Sequence, residues 1–537
     1  MSSQAVPRDY DVIIVGAGLA GLSAARELRK KDSKLRIIVL EAKDRVGGRT
    51  LTVEMNAPKG KKALFDLGGQ WVGHTQKHAM GLIKELGLKT YKQYEAGAKW
   101  AQVGTAEPRK YDGDMPITSL KQFTPIEIID WYANLSKTEK LVKQVDLKDP
   151  FQWKDACYYD GMTLEKWCQE NCLTRTSHDC MDLKTTAIYG VKPSRVNMLY
   201  HLAFSKAAGT FHCLVNNIGD GAQAVKVENG TQQISQVMAN HFGMENIELS
   251  KAVDEIIFDE ETGITTVHAY STLSGEKDCY DFFTCKKVIL AIPPNQCNAI
   301  AFKPDVPLIK GRLFEACPVG NFIKFLITYE TAFWRKDGYS GEIISTGRTA
   351  NPGEVLPLLE VYDACNPKGV PALVGFIGEE FTDITPEERQ EAILADLERF
   401  FGKRVRTEMV DFTEKLWVHE PFNGGCPTVA VTPGNMDAWT TIRQPHLSVH
   451  FAGTETALEW MGYMSGAVES GLRAANEVLF AMDMKHLVSR KHLNGSIYED
   501  DYQAPQMPNA NVAYEDMKGL SLTEVNEEAF ELLKSKL

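Results

Sequence analysis

An α/β fold organised on a parallel sheet is what this sequence predicts, and three observations near the N-terminus predict it. Asp11–Val15 is a short β-branched run of the kind buried on both faces of a parallel sheet. Gly16-Ala17-Gly18-Leu19-Ala20-Gly21 follows directly, and Leu22–Lys31 then reads as a helix, with basic residues toward its C-terminal end. Arg36–Leu40 is a second apolar run, and it closes on the acid Glu41. Strand, glycine turn, helix, strand and acid within about thirty residues make a Rossmann-like unit.

Each part of that unit has a physical task. Gly16 permits the tight turn, Gly18 lets a pyrophosphate approach the backbone, and Gly21 lets helix pack on strand. The helix N-terminus offers unpaired N–H groups and a positive dipole end to phosphates. Glu41 stands where a carboxylate accepts hydrogen bonds from ribose hydroxyls and repels a 2′-phosphate, which argues against NADP. The fingerprint alone leaves NAD and FAD open. Arg45-Val46-Gly47-Gly48-Arg49-Thr50 then supplies two glycines for a second backbone approach, flanked by guanidinium groups suited to phosphate.

Composition bounds the rest. The 537 residues are 44% hydrophobic and 24% charged, ordinary values for a soluble globular protein. A formal net charge of -12 disfavours nucleic acid and anionic membrane, and mildly favours cationic ligands. The 11 cysteines are an odd number scattered from Cys157 to Cys426, which reads as a reducing compartment rather than a disulfide framework. Cys168, Cys172, His178 and Cys180 cluster without any common zinc spacing, so no metal is expected. No apolar run approaches the ~20 residues of a membrane span, and the N-terminus runs into a strand without a secretory signal. Ser535-Lys536-Leu537 reads as a signal for the peroxisomal import receptor, so a peroxisomal location is expected, with a cytoplasmic one as the alternative.

Further along, residues 79–92 suggest a helix, and 96–230 look mixed and mostly helical. Ile247–Glu255, Gly263–Tyr270, Lys287–Ile292, and residues 322–329 and 373–377 look like strands. Thr385–Phe401 opens with a plausible cap, His450–Phe451 ends a strand, and Met464–Ala481 reads as a helix. From about 485 the chain turns polar and acidic, as an extended appendage would.

The glycine turn, the acid and the R-x-G-G-R-x-T segment together resemble the flavin-containing amine oxidases. Asp66-Leu67-Gly68-Gly69-Gln70-Trp71-Val72-Gly73 resembles that family's block beside the flavin. Gly453-Thr454-Glu455-Thr456, then Gly462-Tyr463-Met464, Gly466-Ala467 and Gly471, resembles its closing FAD block. The likeness runs in order from about residue 8 to 480 and is nearest the monoamine oxidase branch. It implies FAD as cofactor, held by Gly16, Gly18, Gly21, Glu41, Arg45, Gly48, Arg49, Gly68, Gly69, Val253, Gly453, Thr454, Glu455, Gly462, Tyr463 and Met464.

It also implies two interleaved domains. FAD-binding parts would fall at 8–95, 231–300 and 411–484, substrate-domain parts at 96–230 and 301–410, and the polar tail at 485–537.

The chemistry is likewise implied by resemblance. Lys324 aligns with the lysine that holds a water against the flavin, and a lysine on an apolar strand needs such a partner. Cys426 aligns with the cysteine that monoamine oxidases join to the flavin through a thioether, the alternative being a small thiol beside a noncovalent flavin. Tyr463 aligns with one wall of an aromatic pair that guides amines to the ring. The other wall falls on Pro427, which leaves the substrate open. Phe376 and Leu359 are expected to line the cavity. The expected reaction is oxidation of an amine to an imine and then an aldehyde, with molecular oxygen reduced to hydrogen peroxide. A polyamine oxidase, with acidic groups in the cavity for a distal ammonium, is the first alternative. A flavin-bound interaction protein without turnover is the second.

Overall fold

The computed structural model describes residues 8–112, 123–215, 221–273, 280–351 and 353–499. In chain order, the elements that build the central cavity are β1 (Val12–Val15), α1 (Leu19–Lys31), β2 (Ile37–Leu40), β3 (Ala98–Gln102), β4 (Arg109–Tyr111), α2 (Arg175–Tyr189), β5 (Ile247–Glu248), β6 (Lys287–Leu290), β7 (Ile323–Tyr329), β8 (Tyr339–Ser345), β9 (Leu358–Asp363), β10 (Ala372–Ile377), β11 (Met409–Leu416), β12 (Val449–Phe451) and α3 (Met464–Ala481).

The first sheet is all parallel, in the order β5-β2-β1-β6-β12. β1 and β2 read as unbroken apolar runs because each feeds two cores. In β1, Ile13 and Val15 face one hydrophobic cluster, while Val12 and Ile14 face another. Helix α1 begins at Leu19, inside the glycine turn and three residues earlier than the sequence suggests. It lies against α3, and the crossing is close: a Cβ on Gly471 would stand 2.2 Å from the Ala20 carbonyl oxygen. One on Gly21 would stand 1.9 Å from the Gly16 carbonyl oxygen, so Gly21 serves packing as expected.

The second sheet has seven strands in the order β11-β7-β10-β9-β8-β3-β4, antiparallel throughout except for the β8–β3 pair. Strand β11 straddles the boundary expected at residue 411 and belongs to this sheet. A third sheet pairs Arg8–Asp9, Tyr280–Cys285, Thr265–Ser271, Lys251–Phe258 and Ala301–Lys303. Among the helices from Pro125 to Ala207, α2 packs on β9 of the second sheet and lines the cavity beside it, and the others pack around α2 and one another.

Several local expectations are corrected. The helix expected over 79–92 is Lys77–Glu85, followed by a strand at Thr90–Lys92. The strand expected over Ile247–Glu255 breaks at Ser250, whose φ of 57° cannot continue a ladder, and resumes at Lys251. The chain beyond 485 folds back as far as 499. The Ser489 N–H donates to Asn476 on α3 at 2.6 Å, and the Tyr498 ring stacks on Phe480 with centroids 4.7 Å apart. Residues 500–537, including Ser535-Lys536-Leu537, lie outside the described residues. Thr385 and Glu388 form the reciprocal cap expected for the helix Pro386–Phe401. Among the described residues no helix is long and apolar enough to cross a membrane.

Candidate active site

One continuous cavity of about 370 Å3 runs from the glycine turn of the parallel sheet to the face of the seven-stranded sheet. Its first half is organised around backbone, with Glu41, Arg49 and Val253 beside it. Gly16, Gly18, Leu19 and Ala20 bring the N-terminus of α1 to the wall, and this terminus has no side-chain cap. Its N–H groups are therefore free to meet an anion. A Cβ on Gly18 would meet nothing nearer than the Gly48 Cα at 4.0 Å, and one on Gly69 would meet nothing within 4 Å. Neither glycine has a left-handed φ, so no demand inside the protein requires glycine at either place. Close approach of a ligand to the backbone does require it, which is the fit expected of a dinucleotide.

Glu41 is buried at the tip of β2. Its carboxylate accepts from the Ala17 N–H at 2.6 Å and the Lys43 N–H at 2.9 Å, so the acid also fastens the glycine turn. Burial pushes its carboxyl up, and these two N–H groups pull it back. Gly48, Arg49, Gly68, Val253, Gly453, Thr454 and Met464 line the same cavity.

Two expected cofactor residues stand behind the wall. Arg45 donates to the carbonyl oxygens of Thr50 (3.0 Å) and Gly48 (3.1 Å) and to Glu420 (3.0 Å), so its guanidinium is spent on holding the turn. Glu455, fully buried, accepts both arms of Arg49, at 2.6 and 3.0 Å, and aims that arginine at the cavity. Breaking such a buried pair costs about 3–5 kcal/mol.

The second half is made of side chains. Lys324 lies on β7, a strand buried at every position, and is 2% exposed. Its ammonium donates to the Gly68 carbonyl oxygen and to Gln70 Oε1, each at 2.8 Å. Desolvation lowers its pKa to about 7, against the pull of Asp66. Gln70 Nε2 is buried with no acceptor among the described residues, a second donor left for a ligand on this wall.

Phe376 stands opposite Lys324 in the β7–β10 register, 5.5 Å from ammonium to ring centroid. Trp71 lies 6.1 Å from Phe376, and Phe322 5.5 Å, between ring centroids. Tyr463, Gly462, Pro427 and Cys426 complete this end. Pro427 carries no ring, and the other rings at this end are Phe204, 6.2 Å from Tyr463, and the Trp71–Phe376–Phe322 cluster. Burial pushes the Cys426 thiol up to about 12, although Lys324 and Arg49 oppose this. α3 starts at Met464 without a side-chain cap, so a second helix N-terminus meets the cavity here.

Leu359 is not on the wall. In the β9–β10 pairing the residue opposite Phe376 is Glu360, and the ladder is irregular between Leu358 and Glu360. Successive side chains of a strand point to opposite faces, so a one-residue error moves the reading to the wrong side. Leu359 packs near Gly378, and the carboxylate of Glu360 faces the cavity. Lys184 and Gln223 also line it, and no sequence motif marked them.

The comparisons with known proteins agree with this geometry. The sequence matches the family described as flavin containing amine oxidoreductase over residues 19–479. This chain belongs to that family. It is 34% identical to the flavin-containing amine oxidase of Danio rerio over 485 residues, covering 89% of this chain and 87% of the relative. It is 32% identical over 510 residues to flavin-containing amine oxidase B of Cavia porcellus, covering 94% and 90%. Among solved structures it is similar to a putrescine oxidase bound to putrescine, with TM-score 0.77, 29% identity, and coverage of 88% of this chain and 100% of that one. A cyclohexylamine oxidase from Brevibacterium oxydans matches with TM-score 0.76 and 28% identity, covering 88% and 100%. The protein is thus a flavin-dependent amine oxidase, with FAD as its cofactor.

Proposed function

We propose that this amine oxidase works in the manner of the monoamine oxidases: it uses molecular oxygen, releases hydrogen peroxide, and turns a primary or secondary amine into an imine that hydrolyses to an aldehyde. The FAD, when bound, takes the two electrons released as the amine C–H bond breaks. The chain's own residues do the rest. The α1 N-terminus and Arg49 would hold the cofactor's phosphates, and Glu41 would take its ribose hydroxyls. Tyr463 and Phe204 on one side, and Phe376 and Trp71 on the other, confine the amine and exclude water. An apolar enclosure favours the neutral amine, which is the reactive form.

The observation that carries the reading is Lys324. A lysine poised to titrate at about 7 is half neutral near physiological pH and can hold a water or exchange a proton at Nζ within the aromatic chamber. An oxygen electrode and a peroxide assay with a panel of amines test it. Oxygen uptake matched by peroxide is expected, and no peroxide with any amine would sink the oxidase reading.

We infer further that Cys426, on the cavity wall, is the point of covalent flavin attachment. Flavin fluorescence should then stay with the denatured protein and be lost in Cys426→Ala. Ser535-Lys536-Leu537 supports a peroxisomal location, where the peroxide would be contained. A fluorescent fusion that stays diffuse with the tripeptide intact would contradict that.

A further inference from the structure

The seven-stranded sheet sets a ruler across the cavity. Lys324 on β7, Phe376 on β10 and Glu360 on β9 are direct cross-strand neighbours, so the three side chains stand in one row on one face. Two strand spacings put Glu360 about 10 Å from the Lys324 column. Across from Glu360, α2 presents Lys184, Ala187 and Ile188 to the same space, one helical turn on a single face.

Glu360 and Lys184 are each 6% exposed. One oxygen of Glu360 accepts from the Tyr362 hydroxyl at 3.0 Å, and the other accepts no hydrogen bond among the described residues; burial pushes this carboxyl up, and the nearby Lys184 charge opposes that. The Lys184 ammonium has neither a hydrogen bond nor an ion pair among the described residues, and no pairing within 4.0 Å joins it to Glu360. Gln223 Oε1 is a third unsatisfied group on this wall, a buried acceptor with no donor among the described residues. Buried polar and charged groups left open toward a cavity are costly unless something enters to satisfy them.

We propose that Lys184 and Glu360 form a paired head-group subsite, selecting amines whose far end presents a hydrogen-bond acceptor and a donor together. A carboxamide and an ammonium–carboxylate pair both have this chemistry. The acceptor meets Lys184, and the donor meets Glu360 and Gln223. A plain alkylamine adds a hydrogen bond to none of the three. A simple diamine satisfies Glu360 and Gln223 but sets an ammonium against Lys184, a like-charge conflict in a low-dielectric space. The assignment rests on the amine-oxidase reading and adds to it the identity of the distal group.

The test uses the flavin-loaded enzyme and four amines whose reacting nitrogen sits on a chain of five carbons: pentylamine, 1,5-diaminopentane, 5-aminopentanamide and lysine, which adds a carboxylate carbon at the far end. Turnover gives kcat/KM, and the flavin difference spectrum gives Kd for each. The amide or lysine should exceed pentylamine by about 10-fold, the worth of one good hydrogen bond. Lys184→Met and Glu360→Gln should each collapse that ratio toward one. Pentylamine or the diamine in first place, or ratios indifferent to both variants, would overturn the subsite and leave amine oxidation standing. If no amine turns over, the oxidase reading fails instead, and the same ratios and variants read from the difference-spectrum Kd values decide the subsite.

Discussion

The two halves of the cavity are built from different materials. At the α1 end the wall is backbone: glycines without side chains, an uncapped helix terminus, and an acid that fastens the turn. At the seven-stranded sheet the wall is side chain: Lys324, Phe376 and Glu360 in one row, with Tyr463 and Phe204 facing the same chamber. The first construction holds one ligand by its phosphates and ribose. The second can vary residue by residue, so the choice of amine is made there.

Substituting the backbone wall should have the largest effect. Gly18 sits in an extended conformation (φ −77°, ψ −178°) with open space at its Cβ, so Gly18→Val should fold normally. The valine then occupies the approach to the phosphates, and the purified variant should carry almost no flavin absorbance. A fully yellow Gly18→Val protein would break the contrast between the halves.

Lys324→Met probes the other half. Flavin content should stay near wild type while kcat falls about 100-fold or more, in the range for losing a positioned proton-transfer group. In the wild type, kcat should rise through about pH 7 as Lys324 loses its proton, and that limb should vanish in the variant. Stability carries the same signature. The folded-state pKa lies below the unfolded value, so between about 7 and 10.4 the unfolded chain binds more protons and this group's contribution to stability rises with pH. Lys324→Met should therefore gain more in Tm at pH 6.5 than at pH 9.5, as thermal melts of the flavin-free protein can check.

A smaller effect separates Phe376 from Leu359. Phe376→Ala should alter the ranking of amines, because the ring lines the chamber. Leu359→Ala should cost about 2–3 kcal/mol in denaturant unfolding and leave the ranking as it was, because Leu359 is buried off the wall. A changed ranking in Leu359→Ala alone would reverse the strand register argued above.

This division also explains what could be read in the sequence. The backbone wall is local: Gly16 to Glu41 is one short stretch whose residue types follow from turn and helix geometry, and the fold obeys it. The side-chain wall is not local. Glu360 faces the cavity because of strand register, and a one-residue shift put Leu359 in its place. Lys184, Phe204 and Gln223 come from segments with no motif, brought in by packing. Arg45 shows the converse limit: its residue type fitted phosphate, but its guanidinium is committed to the turn and to Glu420.

The central claim is that this one cavity joins FAD to an amine. Mixing the flavin-loaded protein anaerobically with an amine, and following the visible flavin band, tests it most directly. The band should bleach with amine and return on admitting oxygen, with one peroxide formed per amine consumed. A band that stays unchanged with every amine, on protein that carries its full flavin, would contradict the account.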